Sequence, residues 1–263
     1  MKVRYSGYLI LAAALALVVV SCGKKEEPAE TASTPAATGG QPVDASTAGS
    51  ITGSIKLDGT PPTPHKINMA AEAYCVSQHP TPVNDQSVVT GPGGTLANVV
   101  VYVSEDMSKY SFQAPGTAAT IDQKGCMYSP HVVGMMAGQT LQVTNDDKTT
   151  HNIHPVPKDN REWNQSQPAG AAPLMEVFAR PENAIPVKCN VHPWMKAYIF
   201  VFKNPYYSVT GDDGKYSISN LPPGTYTVTA WHEQYGTTTQ SVTIGAKESK
   251  SADLTFKAAA GAD

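Results

Sequence analysis

Charge is in short supply in this sequence. Only 16% of its 263 residues are Asp, Glu, Lys or Arg, and 19 basic against 22 acidic residues leave a net charge of −3. With no basic excess to neutralise phosphates, nucleic-acid binding is excluded as a main activity. Signatures of common enzymes are missing too. The chain has no Gly-x-Ser-x-Gly elbow, no glycine-rich phosphate loop and no His-Glu-x-x-His helix, so nothing marks it as a catalyst. Cysteine is scarce, and the four present, Cys22, Cys75, Cys126 and Cys189, each need an explanation.

What is there points to an all-β protein. The chain is 41% hydrophobic, and its 21 Gly and 21 Pro separate short alternating or β-branched runs. Strands are expected over Ile51–Leu57, Asn98–Val103, Gln139–Thr144, Met175–Ala179 and Ala197–Phe202, with a short helix over Met69–Tyr74. After Pro205 the pattern tightens, with a hairpin turn at Gly211-Asp212-Asp213-Gly214 and then the stretch Leu221-Pro222-Pro223-Gly224. Strands are expected around them at Lys215–Ile218, Thr225–Ala230, Gln240–Ile244 and Ala252–Phe256.

Before these runs lie two segments of another kind. Residues 1–22 read as an export signal, with Lys2 and Arg4 ahead of an apolar run from Leu9 to Val20. The end of that run, Val19-Val20-Ser21-Cys22-Gly23, resembles the lipobox of bacterial lipoproteins. That resemblance implies a lipidated Cys22 and a membrane attachment by acyl chains, in the periplasm or at the cell surface. The alternatives are an ordinary cleaved signal or a plain membrane anchor. Residues 23–49, rich in Pro, Ala, Thr, Gly and Ser, have too little apolar surface to offset ordering entropy and are expected to form a disordered tether.

The most informative stretch is Cys189-Asn190-Val191-His192-Pro193-Trp194-Met195, directly before the apolar run Ala197–Phe202. It sets a thiolate, an imidazole and a thioether within seven residues, and Thr150-His151-Asn152-Ile153-His154 adds a second imidazole upstream. Two His, one Cys and a weak axial Met form the ligand set of blue-copper electron-transfer sites. Soft sulfur favours Cu(I), while imidazole keeps Cu(II) acceptable. Residues three apart on a strand face opposite ways, so only one of His151 and His154 can join the site.

These two stretches together, Asn145–His154 and the Cys-x2-His-Pro-aromatic-Met loop, resemble the cupredoxin family, above all its amicyanin-type short-loop members. The likeness covers roughly residues 118–203. It implies a Greek-key β-sandwich over 50–203 holding one type 1 copper, with His151, Cys189 and His192 as ligands and Met195 as the weak axial one. It favours His151 over His154 because the family's first ligand is followed by Asn. It also implies that Asn152 ties the ligand loops together, that Trp194 shields the metal, and that His192 lies nearest solvent as the electron port. The stretch Pro155–Pro173 departs from the family and should reshape the surface near the site.

Residues 204–258, through the run Gly214-Lys215-Tyr216-Ser217-Ile218 to Tyr226-Thr227-Val228, resemble carboxypeptidase regulatory-like (transthyretin-like) modules. That likeness implies a smaller structural β-sandwich without an active site. The function implied by the whole is single-electron transfer between redox proteins of the cell envelope, which would be the chain's partners. Two rivals remain: a copper carrier or storage lipoprotein, and a non-redox surface binding module. No further His-rich set is present that would build the additional copper centres of an oxidase or nitrite reductase.

Cys75 and Cys126 remain. As a disulfide they would close a loop of about 50 residues and contribute on the order of 4 kcal/mol. The alternative is a second metal site in which His79 and His131 join the two thiolates. Met127, Met135 and Met136 near His131 read as core filling rather than copper-transfer ligands. His65 and His232 show no partner pattern, and Trp231 reads as packing within the C-terminal module.

Overall fold

Strand Lys196–Phe202 explains the architecture. Its residues are apolar at nearly every position, which is how a strand buried on both faces reads. Ala197, Ile199 and Val201 enter one hydrophobic core, while Phe200 and Phe202 enter another, as the two-residue period requires. The same split occurs in Val100–Val103, where Val101 and Val103 face one core and Val100 the other. Two sandwiches therefore share an apolar seam.

The computed structural model describes residues 40–258. Four sheets account for nearly all the regular structure. The first runs Val132–Met136, Lys196–Phe202, Glu182–Lys188, His151–Pro155, Gln165–Gln167; the second, packed on it, runs Met127–Ser129, Ala119–Lys124, Thr140–Asn145, Leu174–Val177. Ile121, Leu141, Val143, Ile153, Ile185 and Ile199 fill the space between them. The third runs Tyr207–Val209, Val100–Val103, Gly224–His232, Gly236–Ile244. The fourth centres on Gly49–Asp58, with Lys215–Leu221 antiparallel on one side and Ser249–Ser251 and Leu254–Lys257 parallel on the other.

At the seam, the outer faces of the first and third sheets meet through aromatic rings. Trp231 lies 4.8 Å from Phe200 and 5.2 Å from Tyr198 between ring centroids, and Tyr207 stacks on Phe202 at 4.4 Å. Trp231 thus joins the two sandwiches rather than packing only within the C-terminal one. A Cβ at Gly134 would fall 2.7 Å from the Tyr207 ring, so this close approach needs glycine.

The sandwiches do not follow the linear division at residue 204. Gly49–Asp58 and Val100–Val103, expected in the N-terminal unit, pair with C-terminal strands and supply Ile51, Ile55, Leu57, Val101 and Val103 to their core. The physical reason is that strands after residue 204 cannot close two sheets without them. An isolated fragment 204–258 is accordingly expected to be unfolded. It loses five buried side chains worth roughly 1.5–3 kcal/mol each, together comparable to a whole domain's stability. Circular dichroism of that fragment beside 40–258 checks this, and a folded fragment would contradict it.

Two other expectations shift. Residues 40–49 are placed rather than tethering: Gln41 donates to the Lys109 carbonyl at 3.0 Å and accepts from the Ser111 N–H at 3.0 Å, and Gly49 opens a strand. The helix spans Ala73–Gln78, not Met69–Tyr74, because Met69 and Glu72 are engaged in the preceding turn through the Glu72 N–H and Met69 carbonyl. The export signal, Cys22 and the tether to residue 39 lie outside the described residues. Among the described residues no helix is long and apolar enough to cross a membrane.

Candidate metal centre

Lys188 pairs with Lys196, so the seven residues between them close a hairpin between adjacent strands of the first sheet. Inside the hairpin the Cys189 N–H donates to the Met195 carbonyl at 3.3 Å and the Met195 N–H to the His192 carbonyl at 2.9 Å. These bonds fix three candidate ligands on one tight turn. The next strand over, His151–Pro155, brings His151 to the same end of the sheet. Its neighbour on the far side is Gln165–Gln167, the departing stretch folded back as an edge strand, with His151 opposite Gln167.

His151, Cys189, His192 and Met195 are all buried, and His151, His192 and Met195 have no exposed surface at all. His151 Nδ1 lies 2.9 Å from His192 Nδ1, and Cys189 Sγ lies 3.9 Å from His192 Nδ1. A metal ion about 2.0 Å from each nitrogen and about 2.3 Å from sulfur spans separations of this size. Two imidazole nitrogens and a cysteine sulfur converge, so the donor set fits copper. His154 lies apart, with Nε2 2.6 Å from the Glu162 carboxylate and Nδ1 3.3 Å from Asn190 Oδ1.

The shifts of Cys189 and His192 suit a metal cation, while at His151 a proton competes for the ring nitrogen. Burial pushes the Cys189 thiol up, but the hydrogen bond to His151 and neighbouring backbone N–H groups outweigh it and hold the thiol below its usual range. Burial pulls His151 down, yet its bonds to Cys189 and Asp147 raise it overall. Burial and the charge of His151 both lower His192, keeping its lone pair available. The His192 backbone N–H also donates to Cys189 Sγ at 3.3 Å.

Asn152 ties the two segments: its Oδ1 accepts the Asn190 N–H at 2.5 Å, and its backbone carbonyl accepts the Tyr128 hydroxyl at 2.6 Å. Trp194 packs 5.1 Å from the His192 ring and donates its indole N–H to the Cys126 carbonyl at 3.0 Å.

Asp147, which drew no notice in the sequence, is the hub beneath the site. It is 4% exposed, and its carboxylate accepts from His151 Nε2 at 2.8 Å and from the Gly125 and Cys126 N–H groups at 2.7 Å each. The Tyr74 hydroxyl adds a bond at 3.1 Å. Burial works to raise its pKa, but these donors prevail and hold it below the ordinary carboxylate range. With Nε2–H fixed on Asp147, His151 presents Nδ1 to the site, as outer-shell carboxylates do for metal-bound histidines. The signal available in the sequence was an Asp four residues before a candidate ligand.

One implied role needs correction. His192 is not at the surface. Its Nε2 lies 3.8 Å from Cys75 Sγ, so the helix Ala73–Gln78 covers the ring edge that would otherwise meet solvent. Cys75 and Cys126 are bonded to each other, with an S–S length of 2.05 Å, and this bridge forms the cover. The alternative of a second metal site does not assemble. His79 donates Nε2–H to the Gly125 carbonyl at 2.6 Å, and His131 pairs with Glu233 while its Nδ1 lies 3.1 Å from the Lys196 carbonyl. Met135 and Met136 are core residues; Met127 is half-buried.

His232 is fully buried, and burial together with the nearby His131 pulls its pKa down to about 4. Between pH 4 and the unfolded value near 6.5 the unfolded chain binds the extra proton. Its contribution to stability is therefore complete above about pH 6.5 and is lost as pH falls toward 4, by up to about 3 kcal/mol. In denaturation midpoints measured across this window, His232→Gln is expected to show a flatter pH slope. An unchanged slope would contradict the assignment.

A carboxypeptidase regulatory-like domain matches residues 192–257, about a quarter of the chain, starting inside the ligand loop. No curated protein sequence matches. Among solved structures, a purple cupredoxin from Nitrosopumilus maritimus is 23% identical and aligns over 32% of this chain and 99% of its own, with a TM-score of 0.28. A variant of amicyanin in its Cu(I) form is 20% identical over 32% of this chain and 82% of its own, with a TM-score of 0.29. A copper-containing nitrite reductase from Thermus scotoductus is 18% identical over 38% of this chain, with a TM-score of 0.31, and only 25% of that enzyme's length is spanned.

Proposed function

We propose that the chain binds one copper ion through His151, Cys189 and His192, with Met195 as a weak axial ligand, and carries single electrons between redox partners of the cell envelope. The observation that supports this most is the convergence of two imidazole nitrogens and one thiolate in a fully buried, hydrogen-bonded pocket. Copper held there would supply a centre that alternates between Cu(I) and Cu(II). The protein's own part is to hold geometry and exclude water. Asp147 orients His151, Asn152 locks the two ligand segments, and Trp194 with the disulfide bridge closes the site from solvent.

In this reading a partner approaches over the cover rather than over a bare imidazole, near half-exposed Val76 and Val191. The same enclosure favours retention over delivery of the ion, so electron transfer is preferred to the carrier reading. The C-terminal sandwich is a rigid support, since the strand leaving the ligand loop forms the seam. We also propose an extracytoplasmic, lipid-attached location and no catalytic activity of the chain's own. Cyclic voltammetry of copper-loaded protein tests the proposal. A reversible one-electron wave is expected, and copper that is irreversibly lost on reduction would turn the reading to a carrier.

A further inference from the structure

Strands at the edges of the four sheets run from three residues to nine, and Gly236–Ile244 is the longest of them. It pairs with Gly224–His232 along its whole length in one unbroken register. On its other side no strand among the described residues pairs with it. Such an edge presents a row of unmet N–H and C=O groups, which proteins blunt with Lys, Pro, a bulge or a very short strand. Gly236–Ile244 has none of these devices: it contains no charged residue and no proline, and its pairing shows no bulge. The adjoining edge of the same sandwich has them. It is split into Ser249–Ser251 and Leu254–Lys257 and carries exposed Lys250 and Lys257.

The side chains along Gly236–Ile244 suit a neighbouring strand. Thr237, Thr239, Ser241 and Thr243 share the outer face of the third sheet and are all exposed. Thr237 lies opposite Trp231, whose ring belongs to the seam, so the first sandwich stops short of this strand. The row already bonds sideways, since the Thr225 and Thr243 hydroxyls lie 2.9 Å apart across the existing pair. One more strand laid alongside would extend that ladder.

We propose that Gly236–Ile244 is a homodimer edge, pairing antiparallel with the same strand of a second copy about a two-fold axis at Gln240. A two-fold contact has to be self-complementary, and this strand is. Full overlap sets Thr237 against Thr243 of the second copy, Thr239 against Ser241, and Gln240 against Gln240. Hydroxyl pairs of this kind stabilise a ladder, whereas like charges directly opposite would oppose it, and the strand brings none. The two four-stranded sheets would continue as one of eight. A single strand pair buries less than a standard interface, so the dimer is reversible rather than obligate. No candidate metal ligand lies on this strand, so the proposal is independent of the copper reading.

The test is Gln240→Cys in the full chain, extracted in mild detergent, oxidised with diamide and followed by non-reducing electrophoresis, with the parent chain as background. Gln240 is exposed and would sit opposite its own copy, at a separation a disulfide spans. A covalent dimer is expected to form about tenfold faster than in Thr225→Cys, an exposed position on the adjoining strand. Adding Thr239→Lys and Ser241→Lys is expected to slow Gln240→Cys to the rate of Thr225→Cys. Both positions are exposed, so the thermal unfolding midpoint should not change. Equal rates for Gln240→Cys and Thr225→Cys would overturn the proposal. So would a folded double-lysine variant that cross-links as fast as Gln240→Cys alone.

Discussion

Replacing Cys75 and Cys126 together by alanine is expected to lower stability by about 4 kcal/mol and to open His192 to water. The first effect follows from releasing a loop closed over a sequence separation of 51 residues. The second follows from position, because Cys75 Sγ is 3.8 Å from His192 Nε2 and Cys126 holds the other end of the cover. Loosening the cover also frees the Trp194 indole, whose partner is the Cys126 carbonyl. Denaturant unfolding measures the first effect. For the second, the His192 Nε2–H signal in copper(I)-loaded protein should be observable in the parent and lost by exchange in the variant. A variant of parental stability, or a still-protected His192, would show that the bridge is not the cover described.

Asp147→Ala is expected to be nearly as damaging, by a different route. It strips the half-buried Gly125 and buried Cys126 N–H groups of their acceptor and leaves His151 free to turn. An unsatisfied buried group costs about 1–3 kcal/mol and a half-buried one less, so a loss of roughly 2–4 kcal/mol is expected. Copper affinity should fall about 10- to 100-fold, the usual cost of removing a carboxylate behind a ligating histidine. Asp147→Asn, which keeps one acceptor oxygen, should recover part of both. Competition with a copper chelator separates affinity from stability. Equal affinity in Asp147→Ala and the parent would remove Asp147 from the account.

Legibility in the sequence followed the range of the interaction. The ligand loop was readable because Cys189, His192 and Met195 are local, and the hairpin that closes them spans only seven residues. Strands with a plain two-residue period or a wholly apolar run were readable for the same reason, as at Gly49–Asp58 and Lys196–Phe202. Glu182–Lys188 was not, because Pro186 sits within it and a register shift interrupts pairing near Ala184, which has a φ of 53°. Val132–Met136 was obscured by Gly134, whose missing side chain serves the Tyr207 ring across the seam.

The larger departures came from long-range pairing, which no local pattern announces. Nothing in Ile51–Leu57 says that its partners lie some 160 to 200 residues away, at Lys215–Leu221 and Leu254–Lys257. The covered state of His192 depends on a helix more than a hundred residues upstream. Asp147 belongs to both kinds. Its distance from His151 is local, but its role appears only once the Gly125-Cys126 turn is folded against it. The aromatic seam, finally, was half legible: apolar runs signalled burial on both faces without naming what covers each.

We propose that Cys189 binds copper as a thiolate between His151 and His192. The most direct test is the visible absorption spectrum of residues 40–258 loaded with Cu(II), with Cys189→Ser prepared beside it. An intense thiolate-to-copper band in the parent, absent from the variant, is the predicted result. A parent that takes up Cu(II) without that band, or a band that persists in Cys189→Ser, would contradict it.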